Sequence, residues 1–355
     1  MRPFKERAAS DSPRIDGADP LAALPGGDIE IRGSHLGAVA ARLPVAALDG
    51  VPAPVLLSRV ERMVVRVPDQ VHSGGLEVRR NGKGSNSIQV KVARMIAEDL
   101  HPVGNPAVDA QGNIFATYSG PRGQKTPVSV FRITPEGASQ SFVMGITNAT
   151  GLALDRRGCL YVSSRLDGTV HRVTPEGAAS VYAEGMGIAT GIAFDAKGDL
   201  YVGDRSGTIF KIAADRQIFV FATLEPSIAA YHLAFGPDGV LFVSAPTTSS
   251  YDSIYAVDRD GVVRPYFRGL GRPQGLACDA AGNLYVCASY RGRRGVVRLT
   301  PRREPSLVVS GSGIVGLAFG PGGNVILATT SSIYDVALGI DSLPLSRGGD
   351  SETLT

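Results

Sequence analysis

The sequence predicts an all-β chain: a small antiparallel β-sandwich, then a six-bladed β-propeller closed by a strand that precedes its first repeat. Three observations lead there. One pattern recurs six times, each copy supplies short strands enough for a propeller blade, and the strand missing from the last copy stands ahead of the first. Composition agrees. Of 355 residues 44 are Gly and none is Trp, while 43% are hydrophobic and only 19% charged, which suits many short strands and tight turns around a sizeable core.

Each repeat opens as a β-hairpin. The heads read NPAVDAQGNIFA from Asn105, GLALDRRGCLYV from Gly151, GIAFDAKGDLYV from Gly191, HLAFGPDGVLFV from His232, GLACDAAGNLYV from Gly275 and GLAFGPGGNVIL from Gly316. Their turn glycines, Gly112, Gly158, Gly198, Gly239, Gly282 and Gly323, are spaced by 46, 40, 41, 43 and 41 residues. Glycine belongs there because the reversal needs a residue that tolerates positive φ. A third strand follows in every copy: SVFRIT from Ser129, TVHRVT from Thr169, TIFKIA from Thr208, SIYAVD from Ser253, GVVRLT from Gly295 and SIYDVA from Ser332. A polar turn, twice Thr-Pro-Glu-Gly (Thr134–Gly137 and Thr174–Gly177), leads to a fourth strand such as Ser180–Ala183. The last copy lacks one, because the chain turns polar after Ala337. Arg94-Met95-Ile96-Ala97-Glu98 aligns with Ser180–Glu184, so residues 94–99 are expected to complete the sixth blade and leave no open edge.

Residues 1–13 read as a flexible tail, 14–93 as the sandwich, 94–338 as the propeller and 339–355 as a second flexible tail. Asp28–Gly33 alternates polar and apolar residues as a half-buried strand does. Further strands are expected at Met63–Val67, Leu76–Arg79 and Ile88–Val92, separated by Pro68, Gly74-Gly75 and Asn81-Gly82. The runs Pro25-Gly26-Gly27, Ile31–Ser34, Val64–Pro68, Ser73-Gly74-Gly75 and Ser85-Asn86 resemble the IPT/TIG immunoglobulin-like family over nearly the whole segment. That resemblance implies an Ig-like module serving as spacer or interaction platform.

The ring, through its GLAxDxxGxLYV heads, Thr-Pro-Glu-Gly turns and six-fold period, resembles the NHL-repeat, SMP-30/gluconolactonase (regucalcin) and streptogramin-lyase propellers. This implies a binding face where the inner strands begin around a central funnel. The residues just before each head should line it: Gly104, Thr150, Thr190, Tyr231, Gln274 and Val315. Loops between second and third strands should surround it, with Tyr118, Ser164-Arg165, Asp204-Arg205, Ser244 through Asp252, Ser289-Tyr290-Arg291 and Thr330. Calcium-dependent lactonases of this group place Glu, Asn and Asp at three funnel positions, where oxygen ligands hold a hard cation that polarises the lactone carbonyl. Those positions fall on Gly104, Tyr231 and Gln274. The usual calcium site is therefore not expected, no cofactor is assigned, and calcium would enter only through a rearranged site.

The function expected is that of a binding or scaffold protein whose top face takes a small molecule, glycan or protein. Its ligand-binding candidates are Thr150, Arg165, Thr190, Asp204, Arg205, Tyr231, His232, Gln274 and Tyr290. The alternative is a gluconolactonase-like hydrolase or lyase with a rearranged site. There His232, standing where other heads have Gly, acts as general base with Asp204 and Arg165. A turn role or an ion pair with Arg165 or Arg205 competes with a ligand contact for Asp204, and packing competes with catalysis for His232. His171 takes the strand position of Phe131, Phe210 and Tyr255 and reads as packing, while His101 reads as exposed. His35 and His72 belong to the sandwich and have no partner in sequence. The Arg291, Arg293, Arg294 cluster is either a solvated loop or a local carboxylate or phosphate site.

Several function classes are excluded. Three cysteines (Cys159, Cys278 and Cys287) are too few for a disulfide framework, and none lies in a zinc-ligand pattern. Cys278 and Cys287 read as buried, inert thiols. No stretch reaches eighteen apolar residues, and the basic start Met1–Arg7 lacks the apolar core of a secretory signal, so a cytoplasmic location is expected. Residues 1–93 carry 13 Lys+Arg against 10 Asp+Glu, leaving 23 against 23 for the remainder. Such a neutral main body does not track phosphates, and nucleic-acid binding is not expected.

Overall fold

The computed structural model describes residues 12–39, 42–249 and 251–345. The chain divides after Ala93 into two compact units, with the short run Val308–Gly311 grouped with the first. Among the described residues no helix is long and apolar enough to cross a membrane.

The first unit is built from two β-sheets. One is ordered Arg14–Asp19, Asp28–Ser34, Arg62–Arg66, Val55–Ser58, and the other runs Ala22–Ala23, Ile88–Val92, Gly74–Arg80, Val45–Leu48, Val51–Ala53. Alternate residues of both sheets (Ile29, Ile31, Met63 and Val65 with Leu48, Leu76, Val78 and Val90) form one buried core. Gly74-Gly75, expected as a break, instead lies inside a strand. Their missing side chains explain it: a Cβ on Gly74 would sit 2.7 Å from that of Asp49, and one on Gly75 2.2 Å from Ser87 Oγ. The strands at 45–58 carry no clear alternation in sequence, being rich in Ala and interrupted by Pro52 and Pro54.

The second unit holds six sets of four strands, each hydrogen-bonded in sequence around the ring. Blade two, for example, is Ala149–Leu154, Leu160–Ser164, Val170–Val173 and Ala179–Ala183, hydrogen-bonded in that order. The inner strands touch in a closed cycle, from Ala107–Val108 through Ala149–Leu154, Ala189–Phe194, His232–Phe235, Leu276–Cys278 and Ile314–Phe319 back to the first. Arg94–Ala97 supplies the outer strand of blade six, with Met95 opposite Tyr334. The ring therefore closes by pairing a strand from before the first repeat with Ile333–Ala337. Residues 339–345, read as tail from their polarity, are held instead: Gly339 N donates to Gly323 O at 2.9 Å and Ala280 N to Asp341 O at 2.9 Å. The rest of that expected tail, and residues 1–11, lie outside the described residues.

The repeated letters have separable jobs. The head Asp caps its own turn, as where Asp155 Oδ1 accepts from Arg157 N and Cys159 N, both at 2.9 Å. The Tyr of each LYV strand meets the Phe ending the next blade's inner strand edge-to-face. The centroids of Tyr161 and Phe194 are 4.8 Å apart, and those of Tyr201 and Phe235 are 4.9 Å apart. Each such pair adds about 0.5–1.5 kcal/mol beyond its buried area. The head Gly lets neighbouring inner strands meet backbone to backbone. A Cβ on Gly151 would lie 2.3 Å from Thr190 O, on Gly191 2.3 Å from Tyr231 O, and on Gly316 2.2 Å from Gly104 O.

Gly151→Ala should therefore destabilise the second unit by about 2–3 kcal/mol through overpacking. Gly84→Ala, where a Cβ would meet nothing within 4 Å, should stay within about 0.5 kcal/mol of wild type. Urea-unfolding midpoints of the two variants measure the contrast.

Candidate functional site

Four of the six heads begin with Gly, and the other two place a side chain there: Asn105 in blade one and His232 in blade four. Asn105 ties two other blades together, its Nδ2 donating to Leu276 O at 2.8 Å and its Oδ1 accepting from Leu317 N at 3.1 Å. His232 is 5% exposed, and its ring lies beside Gly104, where a Cβ would be 3.6 Å from Cε1. Between them remains a cavity of about 20 Å³, lined by Gly104, Thr150, Tyr231 and His232 with the backbone of Gly151 and Gly191. That is room for about one water. The signal for Asn105 was legible as a non-glycine at a head position.

The other expected funnel residues are largely engaged by the fold. Thr150 Oγ1 donates to Asn148 O at 2.9 Å, and Thr190 Oγ1 donates to Gly203 O at 2.9 Å while accepting from Tyr231 N at 3.0 Å. Tyr231 is fully buried, its hydroxyl donates to Glu225 O, and burial first, then nearby negative charge, pushes its phenol up to about 12. Gln274 is half-buried, and its backbone carbonyl accepts from Ser244 Oγ at 2.6 Å. Asp204, 5% exposed, caps its turn: Oδ1 accepts from Ile188 N at 2.9 Å and Ser206 N at 3.2 Å, and Oδ2 from Ser206 Oγ. Neither Arg165 nor Arg205 pairs with it.

At the rim, Arg165 and Arg205 are half-buried. Arg165 Nη2 donates to Gly120 O at 3.0 Å, and Arg205 Nη2 to Ile228 O at 2.9 Å. Among the described residues their buried Nε atoms have no hydrogen-bond partner. Burial first, then the charges of Arg205 and Arg122, hold the Arg165 guanidinium below its ordinary value. Tyr290 is covered on one face by Arg291, whose guanidinium stands 5.1 Å from the ring centroid. His171 shares a 3.0 Å hydrogen bond with Thr169 Oγ1, His101 is exposed, and all three cysteines are free and buried.

Calcium does not fit the axis. A hard cation wants six or more oxygens, whereas the cavity offers an imidazole, a phenol and a hydroxyl that donate to backbone carbonyls, one carboxamide already bonded to Leu276 and Leu317, and no carboxylate. What the axis does present is a neutral imidazole. Burial drives His232 down to about 4 from 6.5, so between these values the unfolded chain takes up a proton that the folded ring refuses. The stability tied to this residue is complete above pH 6.5 and falls with pH, by about 3 kcal/mol at pH 4 and below. His232→Asn should flatten that part of the stability-versus-pH curve measured by thermal melts. Asp204→Ala should cost about 1–3 kcal/mol by orphaning its turn donors, read by the urea midpoint.

No protein-family model matches the chain, and no curated protein matches it in sequence. Solved structures share its fold. An auxiliary nutrient binding protein from Bacteroides thetaiotaomicron is 11% identical with a TM-score of 0.53, over 92% of this chain and 97% of that one. A gluconolactonase from Xanthomonas campestris is 16% identical with a TM-score of 0.56, over 69% of this chain and 89% of that one. Virginiamycin B lyase from Staphylococcus aureus is 15% identical with a TM-score of 0.51, over 69% and 97%. At these identities the likeness is one of β-propeller fold.

Proposed function

We propose that this chain is a binding protein that takes its ligand at the rim of the propeller, accompanied by an Ig-like module of the IPT/TIG kind. One observation carries the reading. The axis, where a lactonase of this fold would gather acidic ligands, holds Gly104 and a Tyr231 committed to the fold, and the cavity there has room for about one water. The rim, by contrast, offers half-buried guanidinium groups. The likeness to a nutrient binding protein of similar length agrees with ligand capture by a fold of this type.

A second reading, a lactone hydrolase with His232 as general base, draws on one feature: a buried imidazole on the cavity wall, kept neutral by that burial. A general base must be deprotonated at working pH, and this one is. Hydrolysis of D-glucono-δ-lactone decides between them. Full-length protein is expected to turn it over no faster than His232→Asn, with or without chelator. A rate lost in that variant while the melting curve at pH 7 is retained would replace binding with catalysis.

A further inference from the structure

We infer that the rim beside blades one to three is an oxyanion site built from Arg122, Arg165 and Arg205, for a small ligand carrying a carboxylate, sulfate or phosphate group. This deepens the binding reading and rests on it. Arg165 follows the second strand of blade two (Leu160–Ser164), and Arg205 follows that of blade three (Leu200–Asp204). The repeat thus sets them at matching points of adjacent blades. Their backbones confirm the match: Arg165 N donates to Asn148 O at 3.2 Å and Arg205 N to Ile188 O at 3.3 Å, each acceptor standing just before an inner strand.

Arg122 comes from the corresponding loop of blade one. Asn148 holds that loop, its Oδ1 accepting from Gly123 N at 2.7 Å and its Nδ2 donating to Gly120 O at 2.9 Å and Pro121 O at 3.0 Å. Arg165 donates to the same Gly120 carbonyl, so Asn148 and Arg165 brace one loop between them. The three charges are close enough for Arg122 and Arg205 to disfavour the charged form of Arg165.

Among the described residues, no acidic side chain forms an ion pair with any of the three. Some arginines of this protein meet carboxylates, as Arg32 and Arg62 do on Glu30 at 3.1 and 2.7 Å, and others donate to carbonyls, as Arg259 does to Asp238 O at 2.9 Å. Here like charges are gathered, two of them are partly desolvated, and only neutral carbonyls answer them. That arrangement is unfavourable in the free protein and is relieved by a bound anion, to which the planar guanidinium offers paired donors.

Calorimetric titration of the full-length protein at low salt with D-glucuronate, sodium sulfate, sodium phosphate and D-glucose tests the assignment. At least one anion should bind and glucose should not. A preference for glucuronate identifies a carboxylate ligand, and the reverse a sulfate or phosphate. Arg122→Ala, at an exposed side chain that leaves the fold intact, should weaken anion binding at least tenfold, as should Arg205→Ala, while Arg291→Ala should change it less than twofold. No anion binding, equal binding of glucose, unchanged affinity in both variants, or an equal loss in Arg291→Ala each overturns the site. Glucose binding alone would leave the binding reading standing without this site, whereas lactone turnover dependent on His232 would remove the reading itself.

Discussion

The closeness of the inner strands at the axis is the constraint on which the ring depends. Gly151, Gly191, Gly275 and Gly316 bring backbone against backbone where any side chain would collide with a carbonyl or a neighbouring Cα. Six sheets meet around a narrow centre because four heads carry nothing there, and the two heads that do carry a side chain fill what is left. Asn105 satisfies one donor and one acceptor of two other blades, the condition under which a polar group is tolerated in such a place. His232 is instead held in its neutral form by burial.

That economy moves recognition outward. With the central hydroxyls bonded to carbonyls and Asp204 committed to its turn, the groups still able to meet a ligand stand on loops between second and third strands. Loops of this kind are free to differ from blade to blade because the strands beneath them carry the packing. In blades one to three they bring arginines, whereas in blade four Asp252 turns back to accept from Thr247 N and Oγ1 at 3.0 and 2.7 Å.

Much of the fold was legible because its signals are local and repeated. The heads, the turn glycines and the third strands follow from periodicity, and the pairing of Met95 with Tyr334 follows from one strand being absent at one end and surplus at the other. The site was less legible. Sequence position put Thr150, Thr190 and Tyr231 at the starts of inner strands, but it carried no information on where their hydroxyls point, which depends on the carbonyls of Asn148, Gly203 and Glu225. Asp204 and Arg205 are neighbours in sequence, yet one turns to the backbone of its own turn and the other to Ile228. In the first unit the Ala- and Pro-rich strands at 45–58 were missed because their pairing partners, not their own pattern, define them.

The borrowed outer strand of blade six also bears on how the molecule is made. Arg94 leaves the ribosome long before Asp335, the residue it will sit across from. Until the C-terminal repeat has been synthesised, blade six cannot assemble and the nascent ring keeps two unsatisfied edges. A contact of such sequence separation forms late and slowly, and unpaired strand edges in a half-made protein invite wrong partners. The clasp needs residues from both ends of the ring, so a chain halted before residue 333 would emerge with every other blade encoded and no way to shut.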